Sequence, residues 1–389
     1  MTGGIASYKS AWLARLLTKA GAEVDVVMTR AATEFVGAIT FEALTGRAVH
    51  VSMFEPGRAL DHIALARGAT AIVVAPATAD FLARAATGQA DDLLTAILLA
   101  ATCPVLLVPA MNDHMWAHAQ TKHNVAHLQT LHYRILPPDE GALAAGEGMG
   151  PGRMPEPETI FAHVGRLLEP QGSLSGKRVL VTAGPTREAI DPVRFISNHS
   201  TGKMGVAIAS AAWRRGADVS LVSGPLSVAV PTAVGVTTVE STDDMKDALD
   251  RVLPSTDVLI MAAAPADFRP AQPVPSKIKK TDSPAPISLA PTTDILQSTR
   301  DKRRADAVIV GFALETNDAL ANGRRKLASK DLDLIVVNDA TEPGAGFATD
   351  TNRVTLIARD GAETALPLMS KTEVADAILD RVEALIGGR

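Results

Sequence analysis

Short runs rich in valine, isoleucine and leucine alternate with helix-patterned stretches in two successive cycles along this 389-residue chain. Such runs are apolar on both faces, which is typical of strands in a parallel sheet covered by helices on each side. Between the cycles lies a Pro-, Gly- and Ser-rich segment, 169–176, which indicates a domain boundary. We therefore predict an α/β protein of two tandem doubly wound domains, residues 1–170 and 176–389.

The same pattern places the individual elements. In the first cycle we predict helices at 10–21 and 158–168 and strands at 23–28, 71–75 and 104–109. In the second cycle we predict strands at 178–182, 218–222, 258–262, 307–310, 332–337 and 354–358, with helices at 202–215 and 371–386. Met1 directly precedes the turn at Gly3, without the strand that normally feeds a glycine turn. We expect a reading frame that starts too late; the alternative is a first domain lacking one strand.

Charge and cysteine content exclude several classes of function. A net charge of -5 argues against a general affinity for nucleic acid or anionic membranes. No apolar run reaches the roughly 18 residues needed to cross a bilayer, and no signal peptide is visible. The single cysteine, Cys103, excludes an intrachain disulfide and a cysteine-rich zinc site. We expect a cytoplasmic protein that acts on small molecules.

The densest polar segment is 181–205. Gly184 and Pro185 form a sharp turn at the carboxyl end of a predicted strand, where open α/β sheets bind ligands. The turn lacks the G-x-G-x-x-G pattern, which disfavours a nicotinamide dehydrogenase. Residues 200–205 then open a helix with small residues and backbone N–H groups suited to a phosphate. A capped glycine-rich loop without a ligand is the alternative interpretation.

The second half, 176–389, resembles phosphopantothenate–cysteine ligases. The motifs that carry the resemblance are Thr182-Ala-Gly-Pro-Thr-Arg-Glu188, Ile196-Ser-Asn-His-Ser200, Gly202-Lys-Met-Gly205, Ala262-Ala-Ala-Pro-Ala-Asp267, Lys277-Ile-Lys-Lys280, Gly311-Phe-Ala-Leu-Glu-Thr316 and Lys326 through Asn338-Asp339. The resemblance implies that CTP activates the carboxylate of 4′-phosphopantothenate as an acyl-cytidylate. The amine of cysteine would then displace CMP.

The resemblance also assigns roles to single residues. Asn198 would contact the acyl-cytidylate, Arg194 would bind substrate or phosphate, and Lys277 would act in conversion of the intermediate. The residues expected around the nucleotide are Asp267, Lys277, Phe312, Lys326 and Lys330, together with Mg²⁺ on the triphosphate. Some alternatives stay open. The basic run 277–280 is also what a solvated loop looks like, and lysines four apart also fit a plain helix face. The residues themselves do not exclude ATP.

The first half resembles flavin-dependent phosphopantothenoylcysteine decarboxylases, which have a flavodoxin-like fold. The matching motifs are Thr2-Gly-Gly-Ile-Ala-Ser-Tyr-Lys9, Asp61-His-Ile63, Ala75-Pro-Ala-Thr-Ala-Asp-Phe81, Ala90-Asp-Asp-Leu-Leu94, Pro109-Ala-Met-Asn-Asp-His-Met-Trp116 and Gly150-Pro-Gly-Arg-Met154. The resemblance implies FMN as cofactor and 4′-phosphopantetheine as product. The implied FMN contacts are Gly3, Gly4, Ser7, Thr29 and Thr78. His62 would be the catalytic histidine, Asn112 would hold the substrate carboxylate, and Arg153 and Met154 would contact substrate.

One departure from this family concerns its chemistry. Many members carry a cysteine before the Gly-x-Gly-Arg-Met motif, and that cysteine reprotonates the product. Here Ala145 or Gly146 takes its place, depending on the alignment, and Glu147 is a candidate substitute. The alternative function is therefore an active ligase whose first domain binds FMN without decarboxylating, as a regulatory or scaffolding module. The two families are typically trimeric and dimeric, which implies a homo-oligomer.

Overall fold

The computed structural model describes residues 1–54, 60–142, 148–169, 172, 174–231, 233–279, 286–315, 317–339, 346 and 349–388. The chain divides into two compact units, Met1–Glu169 and Pro170–Arg389. Each unit combines a mainly parallel sheet with covering helices, which confirms the predicted α/β class. Within the described residues, no helix has the length and apolar character needed to cross a membrane.

The first unit is built around a small parallel sheet. Its helices are α1 Ser7–Lys19, α2 Arg30–Thr33, α3 Ala38–Thr45, α4 Asp61–Gly68, α5 Ala79–Ala86, α6 Leu93–Ala100, α7 Asp113–Ala117, α8 Ala119–Thr130 and α9 Pro157–Leu168. Its strands are β1 Ile72–Ala77, β2 Val105–Pro109, β3 Arg134–Ile135, β4 Asp139–Ala142 and β5 Met149–Arg153. The sheet order is β1-β2-β3, all parallel, and β4 pairs with β5 as an antiparallel hairpin.

Alternate side chains of β1 and β2 enter two separate cores. Val74 and Leu107 pack with Phe81 and Leu128 on the side of α5 and α8. On the other side, residues of the same two strands pack with α1 and α9; these are Ala75, Leu106 and Val108, against Leu13, Ile160 and Val164. Burial on both faces explains why the sequence shows unbroken apolar runs at these strands.

The strand predicted at 23–28 is wrong in its extent. Only Val27 forms a bridge, parallel to His50, through hydrogen bonds of 2.9 Å on either side. The other edge of the segment contacts Met1, whose amino group donates to the Val27 carbonyl at 2.6 Å. Thr2 in turn bonds the Pro76 carbonyl, so Met1 and Thr2 lie between this segment and β1.

The second unit contains one large sheet. Its helices are α10 Lys203–Arg214, α11 Thr242–Val252, α12 Ile295–Ser298, α13 Ala319–Ser329 and α14 Lys371–Gly387, with 3₁₀ turns at Leu253–Ser255 and Arg300–Lys302. Its strands are β6 Arg178–Ala183, β7 Glu188–Ala189, β8 Phe195–Ile196, β9 Asp218–Ser223, β10 Gly235–Thr238, β11 Val258–Met261, β12 Phe268–Pro270, β13 Leu289–Pro291, β14 Val308–Glu315, β15 Leu334–Asp339, β16 Thr351–Asn352, β17 Val354–Ala358, β18 Glu363–Ala365 and β19 Met369–Ser370.

The large sheet has the order β10-β9-β6-β11-β14-β15-β17-β18. Its first six strands are parallel, and β17 and β18 extend it in antiparallel fashion. Helices α11, α12 and α13 contribute to one core, whereas α10 lies on β6 and β9 and packs against α14. The chain runs outward from β6 to β10 and then crosses back to β11. The carboxyl ends of β6 and β11 therefore form a topological switch point, where open α/β sheets bind ligands.

Candidate functional sites

Two turns meet at the switch point of the second unit. Gly184 and Pro185 follow β6, and Ala264 follows β11; the Ala264 N–H donates to the Gly184 carbonyl at 2.9 Å. Gly184 has a φ of +75°, and a Cβ there would lie 2.8 Å from the Pro225 carbonyl oxygen. The turn therefore requires glycine.

Buried hydroxyl groups hold the two turns together. The Thr182 hydroxyl accepts from the Ala263 N–H at 3.0 Å, and the Thr186 hydroxyl accepts from the Ala266 N–H at 2.9 Å. The Thr242 hydroxyl, 3.0 Å from that of Thr186, donates to the buried carboxylate of Glu188 at 2.8 Å. Because buried polar groups are costly unless paired, this satisfied network fixes the shape of the switch point.

Asn198 lies at this switch point, after the β7–β8 hairpin. Its side-chain amide donates to the Ala264 carbonyl, and its oxygen accepts from the Ser200 N–H at 3.0 Å. The neighbouring Ser197 hydroxyl donates to the Thr186 carbonyl at 2.7 Å. Ser197 and Asn198 together thus connect this segment to both turns.

A cavity of about 230 Å³ opens beside these turns. Three residues predicted to surround the nucleotide line it, namely Asp267, Phe312 and Lys326. Four others that the sequence analysis did not assign to the site also line it: Lys203, Asn338, Asn352 and Lys371. The first turn of α10 forms one wall, and it approaches β6 closely because a Cβ at Gly205 would lie 2.6 Å from the Ala183 Cβ.

The three lysines of this cavity give it a positive character. Burial lowers the pKa of Lys326, whose ammonium donates to the Phe312 carbonyl at 2.8 Å. Burial and then the charge of Lys203 lower the pKa of Lys371, which donates to the Gly346 carbonyl at 2.8 Å. Lys203 pairs with Asp350 at 2.6 Å. Ammonium groups held in a partly desolvated cavity favour an anionic ligand.

The other predicted ligase residues lie outside the lining of this cavity. Arg194 bonds Asp191 and the Ile278 carbonyl, the latter at 2.9 Å. Lys277, the residue before Ile278, is exposed. The Lys330 ammonium forms an ion pair with Asp294. Their predicted contacts with substrate or nucleotide stay predictions.

In the first unit, the predicted cofactor residues come together at the glycine turn. A Cβ at Gly3 would lie 2.6 Å from the Ala31 Cβ, and one at Gly4 would contact Thr78 at 3.8 Å. Thr2 links the start of α1 to that of α5: its carbonyl accepts from the Ser7 hydroxyl at 3.1 Å and its hydroxyl from the Thr78 N–H at 3.1 Å. Thr29 caps the short α2 and its N–H bonds the Met1 carbonyl at 3.1 Å. Helix N-termini that converge in this way are suited to a phosphate.

The predicted catalytic residues of this unit stand on other elements. His62 lies in the first turn of α4, and its Nδ1 is buried without a hydrogen-bond partner among the described residues. Asn112 follows β2, and its oxygen caps α7 by accepting from the His114 N–H at 2.9 Å. The Met111 N–H bonds the Gly152 carbonyl at 3.0 Å, and a Cβ at Gly152 would lie 2.1 Å from the Met111 oxygen.

Arg153 and Met154, both predicted to contact substrate, differ in their exposure to solvent. Met154 is a core residue, 1% exposed, and only Arg153 of the pair is accessible, where it contacts Glu156. The positions that replace the family cysteine, Ala145, Gly146 and Glu147, lie outside the described residues. Burial raises the pKa of the Cys103 thiol, which suits a packing role better than proton donation. The part of the chain that the structure describes holds no cluster of three His, Cys, Asp or Glu suited to a metal.

The fold and the two sites define a fused protein of two small-molecule-binding α/β domains. Residues 1–169 match the Flavoprotein family, and residues 174–385 match the DNA/pantothenate metabolism flavoprotein C-terminal domain. The chain belongs to the family of bifunctional enzymes of coenzyme A biosynthesis that combine these domains.

The similarity to members of this family extends over the whole chain. The coenzyme A biosynthesis bifunctional protein CoaBC of Bacillus subtilis is 45% identical over 390 residues, covering 99% of this chain and 96% of the relative. The protein of the same name from Mycobacterium tuberculosis is 46% identical over 403 residues, covering 100% and 96%. The crystal structure of the C-terminal domain of a CoaBC protein is 39% identical, covers 56% of this chain and 100% of that chain, and has a TM-score of 0.48.

Proposed function

We propose that this chain catalyses two consecutive steps of coenzyme A biosynthesis. The second unit would join 4′-phosphopantothenate to cysteine at the expense of CTP, and the first would decarboxylate the resulting phosphopantothenoylcysteine to 4′-phosphopantetheine. The observation that carries the ligase assignment is the position of Asn198, which bonds Ala264 beside a cavity lined by three lysines.

The ligase reaction needs charge stabilisation more than acid–base chemistry. The substrate carboxylate would attack the α-phosphorus of CTP and expel pyrophosphate, and the cysteine amine would then displace CMP from the acyl-cytidylate. Negative charge grows on phosphoryl and carbonyl oxygens in both steps, so fixed donors and cations at those oxygens lower the barrier. Lys203, Lys326 and Lys371, which line the cavity, would bind the phosphates, and Mg²⁺ would accompany the triphosphate.

The decisive ligase assay is CMP formation that depends on CTP, phosphopantothenate and cysteine together. Asn198→Ala should lower it by about 100-fold, the usual effect of removing one donor from a developing oxyanion. The control is Asn322→Ala, because Asn322 also donates to a backbone carbonyl, that of Asn317, but does not line the cavity. Wild-type turnover in Asn198→Ala would refute the placement of the site. Replacing CTP with ATP in the same assay decides the nucleotide.

FMN fits the glycine turn of the first unit. Gly3 leaves no room for a side chain, and Ser7 and Thr78 mark the starts of two helices beside it. Bound FMN would supply the redox chemistry that makes the substrate carboxylate labile. Gly3, Gly4, Ser7, Thr29 and Thr78 would hold the cofactor. His62, whose Nδ1 is buried without a partner among the described residues, would move a proton.

Two measurements test this half of the proposal. The visible spectrum of the purified protein should show bound flavin, and anaerobic CO₂ release from phosphopantothenoylcysteine should fall strongly in His62→Asn. Flavin retention without CO₂ release in the wild type would instead identify a flavin-binding scaffold fused to a ligase. We also propose a cytoplasmic homo-oligomer that binds no nucleic acid or membrane. Light scattering on a sizing column gives its size.

A further inference from the structure

The hairpin loop 190–194, between β7 and β8, anchors the segment that carries Lys277. The Val274 N–H donates to the Ile190 carbonyl at 3.1 Å. Four residues later the Ile278 N–H donates to the Asp191 carboxylate at 3.0 Å, and Arg194 donates to the Ile278 carbonyl at 2.9 Å. Backbone hydrogen bonds therefore fix the chain on both sides of Lys277, at Val274 and at Ile278.

The two carboxylate oxygens of Asp191 accept hydrogen bonds from different groups. Oδ1 accepts from the N–H groups of Val193 and Arg194, at 2.8 and 2.9 Å, and so shapes its own loop. Oδ2 accepts from the Arg194 Nε at 3.0 Å and from the Ile278 N–H. The side chain of Asp191 is fully enclosed. The Arg194 guanidinium, with these backbone donors, holds the pKa of Asp191 well below its usual range, so the carboxylate stays ionised.

We propose that Asp191 is a positioning residue of the ligase, which sets the place of Lys277 by holding the backbone of Ile278 directly and through Arg194. The inference rests on the ligase function proposed above. Lys277 is itself exposed, and its ammonium forms no hydrogen bond within the described part of the chain. Its position therefore depends on its backbone. A misplacement of about 1 Å at a reacting group costs on the order of 100-fold in rate.

Asp191→Asn tests this clamp without removing the loop that surrounds it. The retained amide oxygen can still accept from Val193 and Arg194, whereas the new NH₂ group would face the Ile278 N–H and the Arg194 guanidinium, which are both donors. The matched control is Asp257→Asn. The Asp257 carboxylate likewise accepts from a distant backbone N–H, that of Arg178, and from the guanidinium of Arg304, at 2.8 Å each. It precedes β11, however, and so lies at the opposite end of the sheet.

The kinetic test compares Asp191→Asn, Lys277→Gln and the double variant. We expect Asp191→Asn to lower steady-state CMP release by about tenfold or more, while the first burst of pyrophosphate stays near wild type. The double variant should be no slower than Lys277→Gln alone, because Asp191 acts through Lys277. An equal further loss on the Lys277→Gln background would overturn the proposal, as would the same loss in Asp257→Asn.

Hydrogen exchange gives a readout that does not need activity. Deuterium uptake by a peptide covering 271–279 should be faster in Asp191→Asn than in the wild type or Asp257→Asn, because the Ile278 N–H loses its acceptor. Unchanged uptake would refute the clamp itself. A wild-type protein that forms no CMP from the three substrates would instead refute the ligase function, and the exchange result would still decide whether Asp191 holds the segment.

Discussion

Gly205→Ala is the sharpest test of how the ligase cavity is built. Gly205 is the third residue of α10, where the helix crosses β6. A Cβ there would lie 2.6 Å from the Ala183 Cβ and 2.7 Å from the Thr182 carbonyl oxygen. Carbon atoms normally approach to roughly 3.5–4.0 Å, so α10 must retreat from β6 by about 1 Å.

The magnitude follows from two opposing effects. Overpacking of this kind costs about 1–3 kcal/mol, and replacing a helical glycine by alanine returns up to about 1 kcal/mol. The net loss of about 1–2 kcal/mol corresponds to a fall in Tm of roughly 2–8 °C for a domain of this size. The catalytic effect should be larger, because a shift of about 1 Å in the first turn of α10 moves Lys203 and the cavity wall and costs on the order of 100-fold.

The assay pairs thermal unfolding, followed by circular dichroism, with CMP formation at 25 °C. Gly387→Ala is the control, since Gly387 is also helical but nothing lies within 4 Å of its added Cβ. An unchanged or higher Tm in Gly205→Ala would show that the close approach of α10 and β6 is not required. A lower Tm with full activity would show that the first turn of α10 does not shape the active site.

Three further predictions address other parts of the chain. Gly3→Ala should abolish the flavin absorbance of the purified protein, because its Cβ would overlap Ala31, whereas Gly68→Ala, in open space, should retain it. Lys326→Met should raise the KM for CTP by about tenfold, which is equivalent to about 1.4 kcal/mol. The variant should keep an equal or higher Tm, because it removes a charge that burial disfavours, and a lower Tm would contradict this. Burial, and then the charge of Arg166, lower the pKa of His163 from the ordinary 6.5 to about 4. Because the unfolded chain takes up this proton first, the folded state has its full stability above pH 6.5 and loses stability as the pH falls towards 4. In His163→Gln, urea unfolding followed between pH 7 and 4 should depend less on pH; an unchanged dependence would contradict the assignment.

The strands of the sheets were predictable wherever they are buried on both faces. The run 354–358 is a strand with the predicted bounds, and the strand predicted at 258–262 ends one residue earlier. By contrast β10 was missed, because all four of its residues are exposed and carry no burial pattern. Helix α11 was also missed, although Ser241 and Asp244 form a capping box that its sequence displays.

The candidate site was predictable only in part, for a related reason. Asn198 and Asp267 follow short motifs, and local sequence places both at the carboxyl end of the sheet. Lys371 gives no such signal, because a lysine at the start of a helix is usually solvated. Its burial depends on carbonyl groups more than 20 residues away, such as that of Gly346. Contacts of this length follow from the fold and not from local pattern.

The contact between Gly152 and Met111 has a consequence for the variants that a lineage can accumulate. A side chain at position 152 would press on a backbone oxygen at 2.1 Å, so the stem of the β4–β5 hairpin cannot change without displacing the residue before Asn112. A saturation mutagenesis library should therefore show intolerance at Gly152, because every side chain there meets the backbone oxygen of Met111.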